Sequence, residues 1–346
     1  MNVINKYEVE ILNVGDADAI LIREYIDNVP YVILIDAGNV GDGNKVIIPH
    51  IKKYYQDTYD ANNCKYLIDL AICTHPDSDH KGGFFDLLHS NEIKINEFWV
   101  TDPACYLSAD DIKQYQNEAN ATKAVRNIYN NSDDGNENLL NLAESNGING
   151  NNAVAGVYSD FLHLTVVGPS EDYYKEVVKD MVSKYGVETY DESDTEKYDR
   201  NVTIDEMEAQ TVINEDDDPS PFNASSLIVY FNPSPVETFL FAGDVNCASL
   251  TEAIDKYPQI KGVTYFKVPH HGSKHNLDTK IISDLAPVYS IISAKGTKKH
   301  PSSAVVYWLS KEGAVYSTHL CSLLRIHSKG FDRADSFPAE VLKPKQ

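Results

Sequence analysis

The sequence predicts an α/β fold, an αββα sandwich of two face-to-face sheets with helices outside and a large acidic insertion. Three observations predict it. Short apolar, β-branched segments recur in two blocks, one before residue 104 and one after residue 222, with helical stretches between them. Three of these segments run directly into Asp and His residues. Charge is concentrated between the two blocks, where Ala104 to Phe222 holds 25 acidic and eight basic residues, a net of −17, leaving −5 for the rest of a chain whose formal charge is −22.

In the first block the strand candidates are Glu8–Val14, Ala19–Glu24, Tyr31–Asp36 and Ile68–Cys73, parted by Gly, Asn and Asp. Phe84–Leu88 is a helix candidate. The middle segment, about 104–222, alternates helical pieces (Asp110–Tyr129, Tyr173–Tyr185) with acidic tracts (Asp191–Asp199, Asn214–Asp218), so most of it reads as an insertion or cap on one domain spanning 1–346. Within it Phe161–Val167 reads as a strand returning to the core. Strands resume at Leu227–Phe231, Thr238–Ala242, Val263–Val268 and Val288–Ser293, with helix candidates Ala248–Lys256 and Thr279–Asp284.

At 346 residues and 42% apolar composition the chain can bury a substantial core. Its longest apolar runs are strand-sized, far below the roughly 20 residues of a membrane span. No intrinsic membrane segment is therefore expected. Residues 1–20 lack signal-peptide features, and the five scattered cysteines fit a reducing compartment, so a cytoplasmic location is the expectation. The negative charge opposes broad nonspecific contact with nucleic acid, although Lys267, Lys274, Lys295, Lys298 and Lys299 could meet a phosphate locally.

Chemistry concentrates in three places. Cys73-Thr74-His75-Pro76-Asp77-Ser78-Asp79-His80-Lys81-Gly82-Gly83 carries four metal-ligand types within six residues after a strand, followed by a glycine pair that permits tight backbone geometry. Phe239–Ala242 ends in Gly243-Asp244, whose carboxylate could bridge two ions, although a Gly-Asp turn is common without one. Phe266–Pro269 runs into His270-His271-Gly272-Ser273; neighbours on an extended segment point opposite ways, so one histidine would ligate while the other packs or touches substrate. Imidazole and carboxylate suit zinc, and also manganese or iron.

Together these segments resemble the metallo-β-lactamase superfamily, and within it the hydrolase domain of the ComEC/Rec2 DNA-uptake proteins. Further matches are Asn13-Val14-Gly15-Asp16-Ala17-Asp18-Ala19-Ile20-Leu21-Ile22, Leu34-Ile35-Asp36-Ala37-Gly38, Asn223-Ala224-Ser225-Ser226-Leu227, and Ser293-Ala294-Lys295 with His300-Pro301. The resemblance skips 104–222. It implies His75 and Asp77 on one metal, Asp79 and His80 on the other, Asp244 between them, and His270 or His271 completing the second position. Asp77 stands where most of the superfamily has histidine, and Ala17 where the branch usually has glycine. The middle metal-binding histidine has no match; Asn223 lies near its place in order, and His163, a distant alternative in a strand, reads as structural.

The implied activity is metal-dependent hydrolysis with one or two Zn2+ ions, Mn2+ or Fe being alternatives, acting on a phosphodiester that is either nucleic acid or a small molecule. Asp79, or Asp77 if unbound, would orient water and accept its proton. His300, after a lysine-bearing loop, is a candidate proton donor or phosphate contact. Two other readings compete: hydrolysis of another small ester, and a regulatory or partner-binding protein using the acidic insertion with a structural metal site.

Overall fold

The computed structural model describes residues 6–115, 117–129, 138–148, 150–159, 162–185, 213, 217–297, 299–331, 333 and 339–343. The acidic tract Asp191–Asp199, residues Asn214–Asp216, Phe161 and Lys298 lie outside the described residues. Among the described residues no helix is long and apolar enough to cross a membrane, and all five cysteines are free thiols.

The first sheet contains β1 (Lys6–Leu12), β2 (Ala19–Ile26), β3 (Val29–Ala37), β4 (Tyr59–Asp60), β5 (Lys65–Ile72), β6 (Ile93–Trp99) and β7 (Gly150–Asn151). The last strand, β15 (Leu323–His327), closes it in the order β15-β1-β2-β3-β5-β6-β7, with β4 beside β5. The second contains β8 (Tyr158–Ser159), β9 (Leu164–Gly168), β10 (Ile228–Phe231), β11 (Phe239–Phe241), β12 (Tyr265–Lys267), β13 (Tyr289–Ile292) and β14 (Ala314–Ser317), in reverse sequence order. Each sheet is antiparallel on one side and parallel on the other: β3, β5 and β6 run parallel, as do β11 to β14.

A two-residue alternation sorts the side chains into layers. Tyr7, Val9, Ile11, Ile20, Ile22, Ile33 and Ile35 of the first sheet meet Val229, Phe231, Phe239 and Phe241 of the second in one shared core. Their neighbours Leu21, Val32 and Leu34 face the other way, packing with helices α1 (Ile48–Tyr54) and α2 (Ser78–His89). In the second sheet Ile228, Tyr230 and Leu240 face outward onto the helices 247–256, 279–285 and 303–312. The αββα layering follows from this alternation.

Several expectations change in detail. β6, β14 and β15 add strands, and the Asp110–Tyr129 helix is two, α3 (Ala109–Gln114, opened by a Ser108–Asp111 capping box) and α4 (Glu118–Tyr129). The middle segment also holds α5 (Leu139–Ser145), which joins the outer core of the first sheet, and α6 (Glu171–Tyr185). Its strand β9 lies in the shared core through Leu164 and Val166. His163, just before β9, pairs with Glu24 at 2.8 Å. His319 lies in the turn Thr318–Leu320, its Nδ1 2.6 Å from Ser317 Oγ.

Helix α2 starts six residues earlier than Phe84, with Asp77 as its N-cap residue. Asp79, His80 and the glycine pair are therefore helical, and the glycines serve close packing. A Cβ on Gly83 would lie 2.1 Å from Ala37 O, and one on Gly82 2.2 Å from Val40 N, both rigid backbone atoms. This contact fixes the start of α2 against the end of β3. Gly83→Ala should accordingly destabilise the fold by about 1–3 kcal/mol, the range for overpacking, read as a lower urea midpoint with an unchanged slope; an unchanged midpoint would show that the contact is soft.

Candidate metal centre

The ends of the parallel strands converge at one edge of the sandwich. His75 and Asp77 follow β5, Asp36 closes β3, Asp244 follows β11, and His270 and His271 follow β12. Asp18 immediately precedes β2, whose start pairs with the end of β3. The carboxyl edge of parallel strands is where open α/β sheets place ligands.

The histidines are oriented from behind. Asp36, held at a φ of +56°, accepts from Thr74 N and Thr74 Oγ1 at 2.8 Å each and from His80 Nδ1 at 2.8 Å. Because Thr74 Oγ1 spends its hydrogen on Asp36, it can only accept from His75 Nδ1, 3.2 Å away. His271 Nδ1 lies 2.9 Å from Ser293 O, a carbonyl that can only accept. All three imidazoles thus have Nδ1 engaged as a donor, so that with a cation bound it is Nε2 that would be free to ligate.

Those Nε2 atoms face carboxylates. His80 Nε2 lies 3.3 Å from Asp244 Oδ1 and 3.7 Å from Asp79 Oδ2, and His271 Nε2 lies 3.0 Å from Asp79 Oδ2 and 3.9 Å from Asp244 Oδ2. Among the described residues, the buried Nε2 atoms of His75 and His80 have no hydrogen-bond partner. Asp79, His80, Asp244 and His271 offer ligand atoms all within 4.8 Å of one another. Metal–ligand bonds of ~2.0–2.2 Å place tetrahedral ligands roughly 3.3–3.6 Å apart, so the spacing fits one cation. Ring nitrogens aimed at carboxylates need a positive charge between them, either a proton on the imidazole or a cation, and this donor set supplies the place for a cation.

The first position is less complete. His75 Nε2 lies 3.6 Å from Asp77 Oδ2, and among the described residues no third His, Cys, Asp or Glu forms a group with them. Asn223, near the missing histidine in sequence order, donates through Nδ2 to Asp218 at 2.7 Å. Asp18, Asp36 and His80 form another acidic group, but Lys267 is buried against Asp18 and answers its charge. Lys267 is therefore an internal counter-ion rather than a phosphate contact, since its ammonium has no route to solvent. Lys295 is exposed, and its backbone N–H donates to Asp16 at 2.8 Å.

The His pair is not extended. His270 and His271 lie at φ +45° and +52°, and their rings sit 5.9 Å apart at 76°. The left-handed backbone brings both toward Asp244 instead of to opposite faces, with His270 Nε2 3.9 Å from Asp244 Oδ2. Such strain in non-glycine residues is common at sites that need a particular geometry. His300 packs 5.6 Å from the His270 ring and 6.1 Å from that of His271, so it borders the site. Burial, with His270 and His271 beside it, lowers its pKa to about 3; it is neutral near pH 7.

Asp18, Asp36, Asp218, Asn276 and the buried role of Lys267 were not singled out from sequence. Asp36 had a signal, an apolar strand ending in Asp, the same pattern as Asp244. Asp218 lies in an acidic tract whose composition does not distinguish it.

Burial alone would lower the pKa of His80 and His270, but the surrounding carboxylates overcome it, holding His80 well above its ordinary value and His270 at about 9. Burial alone would raise Asp79 and Asp244, but the positive histidines hold both below 3.8. In cation-free protein the histidine contribution to stability is complete below 6.5 and lost as pH rises through about 9; the aspartate contribution is present above 3.8 and lost as pH falls. Melting in EDTA should therefore peak between about pH 4 and 6.5. Stabilisation by added Zn2+, which competes with these protons, should grow from pH 6 to pH 9. A zinc effect independent of pH would contradict this ligand set.

No family model matches the sequence, and no curated protein matches it. Among solved structures, the chain is similar to one described as "CmlA beta-hydroxylase E377D mutant", at 12% identity and a TM-score of 0.45, over 94% of this chain and 54% of that one. The chain thus spans about half the length of that protein.

Proposed function

We propose that the chain is a metal-dependent hydrolase of the metallo-β-lactamase superfamily, similar to its ComEC/Rec2 branch, and that it cleaves phosphodiesters. The observation that carries the metal part is the common orientation of His75, His80 and His271, each anchored at Nδ1 with Nε2 turned toward carboxylates. Asp79, His80, Asp244 and His271 would hold one cation, Zn2+ foremost, with Mn2+ or Fe as alternatives; His75 and Asp77 offer a second ion only two donors. Such a cation would polarise the ester and lower the pKa of a water toward ~7.

The chain's own residues would do the rest. Asp36 and Ser293 keep the ligating nitrogens unprotonated and aimed. Asp79 is drawn into the ligand set, leaving Asp77, about a third exposed at the start of α2, to orient the attacking water and take its proton. The water oxygen bonds to phosphorus, the ester P–O bond breaks, and the leaving oxygen takes a proton from solvent. Neutral His300 lines the rim as a hydrogen-bond partner.

The net charge of −22 favours a small phosphodiester over a long polyanion; nucleic acid ends remain compatible, and a protein partner would be drawn by the acidic composition of the 104–222 segment. The scattered cysteines fit a reducing, cytoplasmic setting. With bis(p-nitrophenyl) phosphate as substrate, Asp79→Ala should lower kcat/KM by at least about 100-fold, beyond the upper end of losses for outer ligand supports, and remove most bound zinc. Asp77→Ala should retain more zinc. Full zinc and full activity in Asp79→Ala would overturn the assignment; turnover of carboxylic esters alone would redirect it to another small ester.

A further inference from the structure

The two adjacent histidines differ in their surroundings. The His271 side chain is 4% exposed and belongs to the four-group cluster, whereas that of His270 is 27% exposed and lies outside it. Its Nδ1 sits 3.1 Å from Asp218 Oδ2 and 3.1 Å from Asn276 Oδ1, two acceptors nearer than the Asn223 Nδ2 donor at 3.5 Å, so Nδ1 carries a hydrogen. Its Nε2 is consequently turned toward Asp244.

Asp218 is itself held from several sides. Its Oδ2 also accepts from Asn223 Nδ2 at 2.7 Å and Asn276 Nδ2 at 3.0 Å, its Oδ1 accepts from Ser220 N at 2.9 Å, and its backbone N–H donates to His275 O at 3.1 Å. Asn276 in turn donates to the carbonyls of Asp244 and Val245 at 3.0 and 3.2 Å. A buried carboxylate with three side-chain donors on one oxygen is a rigid support, because moving it would strand every partner.

We propose that Asp218, carried by the acidic segment, is a positioning residue for this site: it fixes the tautomer and direction of His270, so that Nε2 is presented beside Asp244 to bound substrate. His271 then serves the cation and His270 the substrate, and the acidic segment becomes part of the reaction site. The inference rests on the hydrolase reading for its substrate.

The test uses the full chain, 15N-labelled at histidine and loaded with Zn2+, with His270 assigned through His270→Gln. With zinc bound, wild type should show His270 as the neutral ring, protonated at Nδ1 and bare at Nε2. Asp218→Ala should shift it toward the Nε2-protonated form, leave zinc per chain unchanged, and lower kcat on bis(p-nitrophenyl) phosphate 10- to 100-fold, the loss typical of outer supports, with KM within about twofold. Asp218→Asn, which keeps an acceptor oxygen, should retain the Nδ1 form and recover most of the rate. Asp218→Ser carries the expectations of Asp218→Ala should that variant not fold. An unchanged tautomer in Asp218→Ala, or zinc loss in step with activity, would overturn the proposal. Where wild type itself gives no turnover, the tautomer result decides the positioning claim, while the missing turnover counts against the hydrolase reading.

Discussion

The hydrogen bonds that Asp36 accepts from Thr74 and His80 organise the edge of the sandwich. They tie the end of β3 to the segment after β5, set the tautomer of His80 directly, and set that of His75 through Thr74. Without the Asp36 acceptor each imidazole could carry its hydrogen on either nitrogen, and the convergence of Nε2 lone pairs would be lost. Outer partners of this kind orient ligands and raise their basicity.

The same edge faces an electrostatic constraint. Asp18, Asp36 and Asp244 are almost wholly buried, and Lys267 answers only one of them. Buried carboxylates need charge compensation, which the histidines can supply by taking protons or a divalent cation can supply in their place. The fold and the metal are thereby coupled: the glycine contact that seats α2 against β3 also brings Asp79 and His80 to Asp244, so packing and charge specify one geometry.

Much of this was legible in the residues. Continuous apolar runs such as Ala19–Ile22 and Ile228–Phe231 announce sheets buried on both faces, and apolar strands running into His75, Asp244 and His270 announce a shared edge. What could not be read depends on tertiary context. The left-handed backbone of His270 and His271 contradicts the extended expectation, since local sequence does not reveal positive φ before Gly272. Lys267 looks like a free cation until its burial beside Asp18 is seen. Asp218 is one acid among 25 in its segment, and only the return of the chain to Asn276 and His270 distinguishes it.

The central claim is that one cation sits among Asp79, His80, Asp244 and His271. A zinc-soaked crystal measured on both sides of the zinc absorption edge tests it most directly. The account predicts one strong anomalous peak ~2.0–2.2 Å from a carboxylate oxygen of Asp79 and of Asp244 and from Nε2 of His80 and of His271. A peak elsewhere, or ligation through Nδ1 of either histidine, would contradict it.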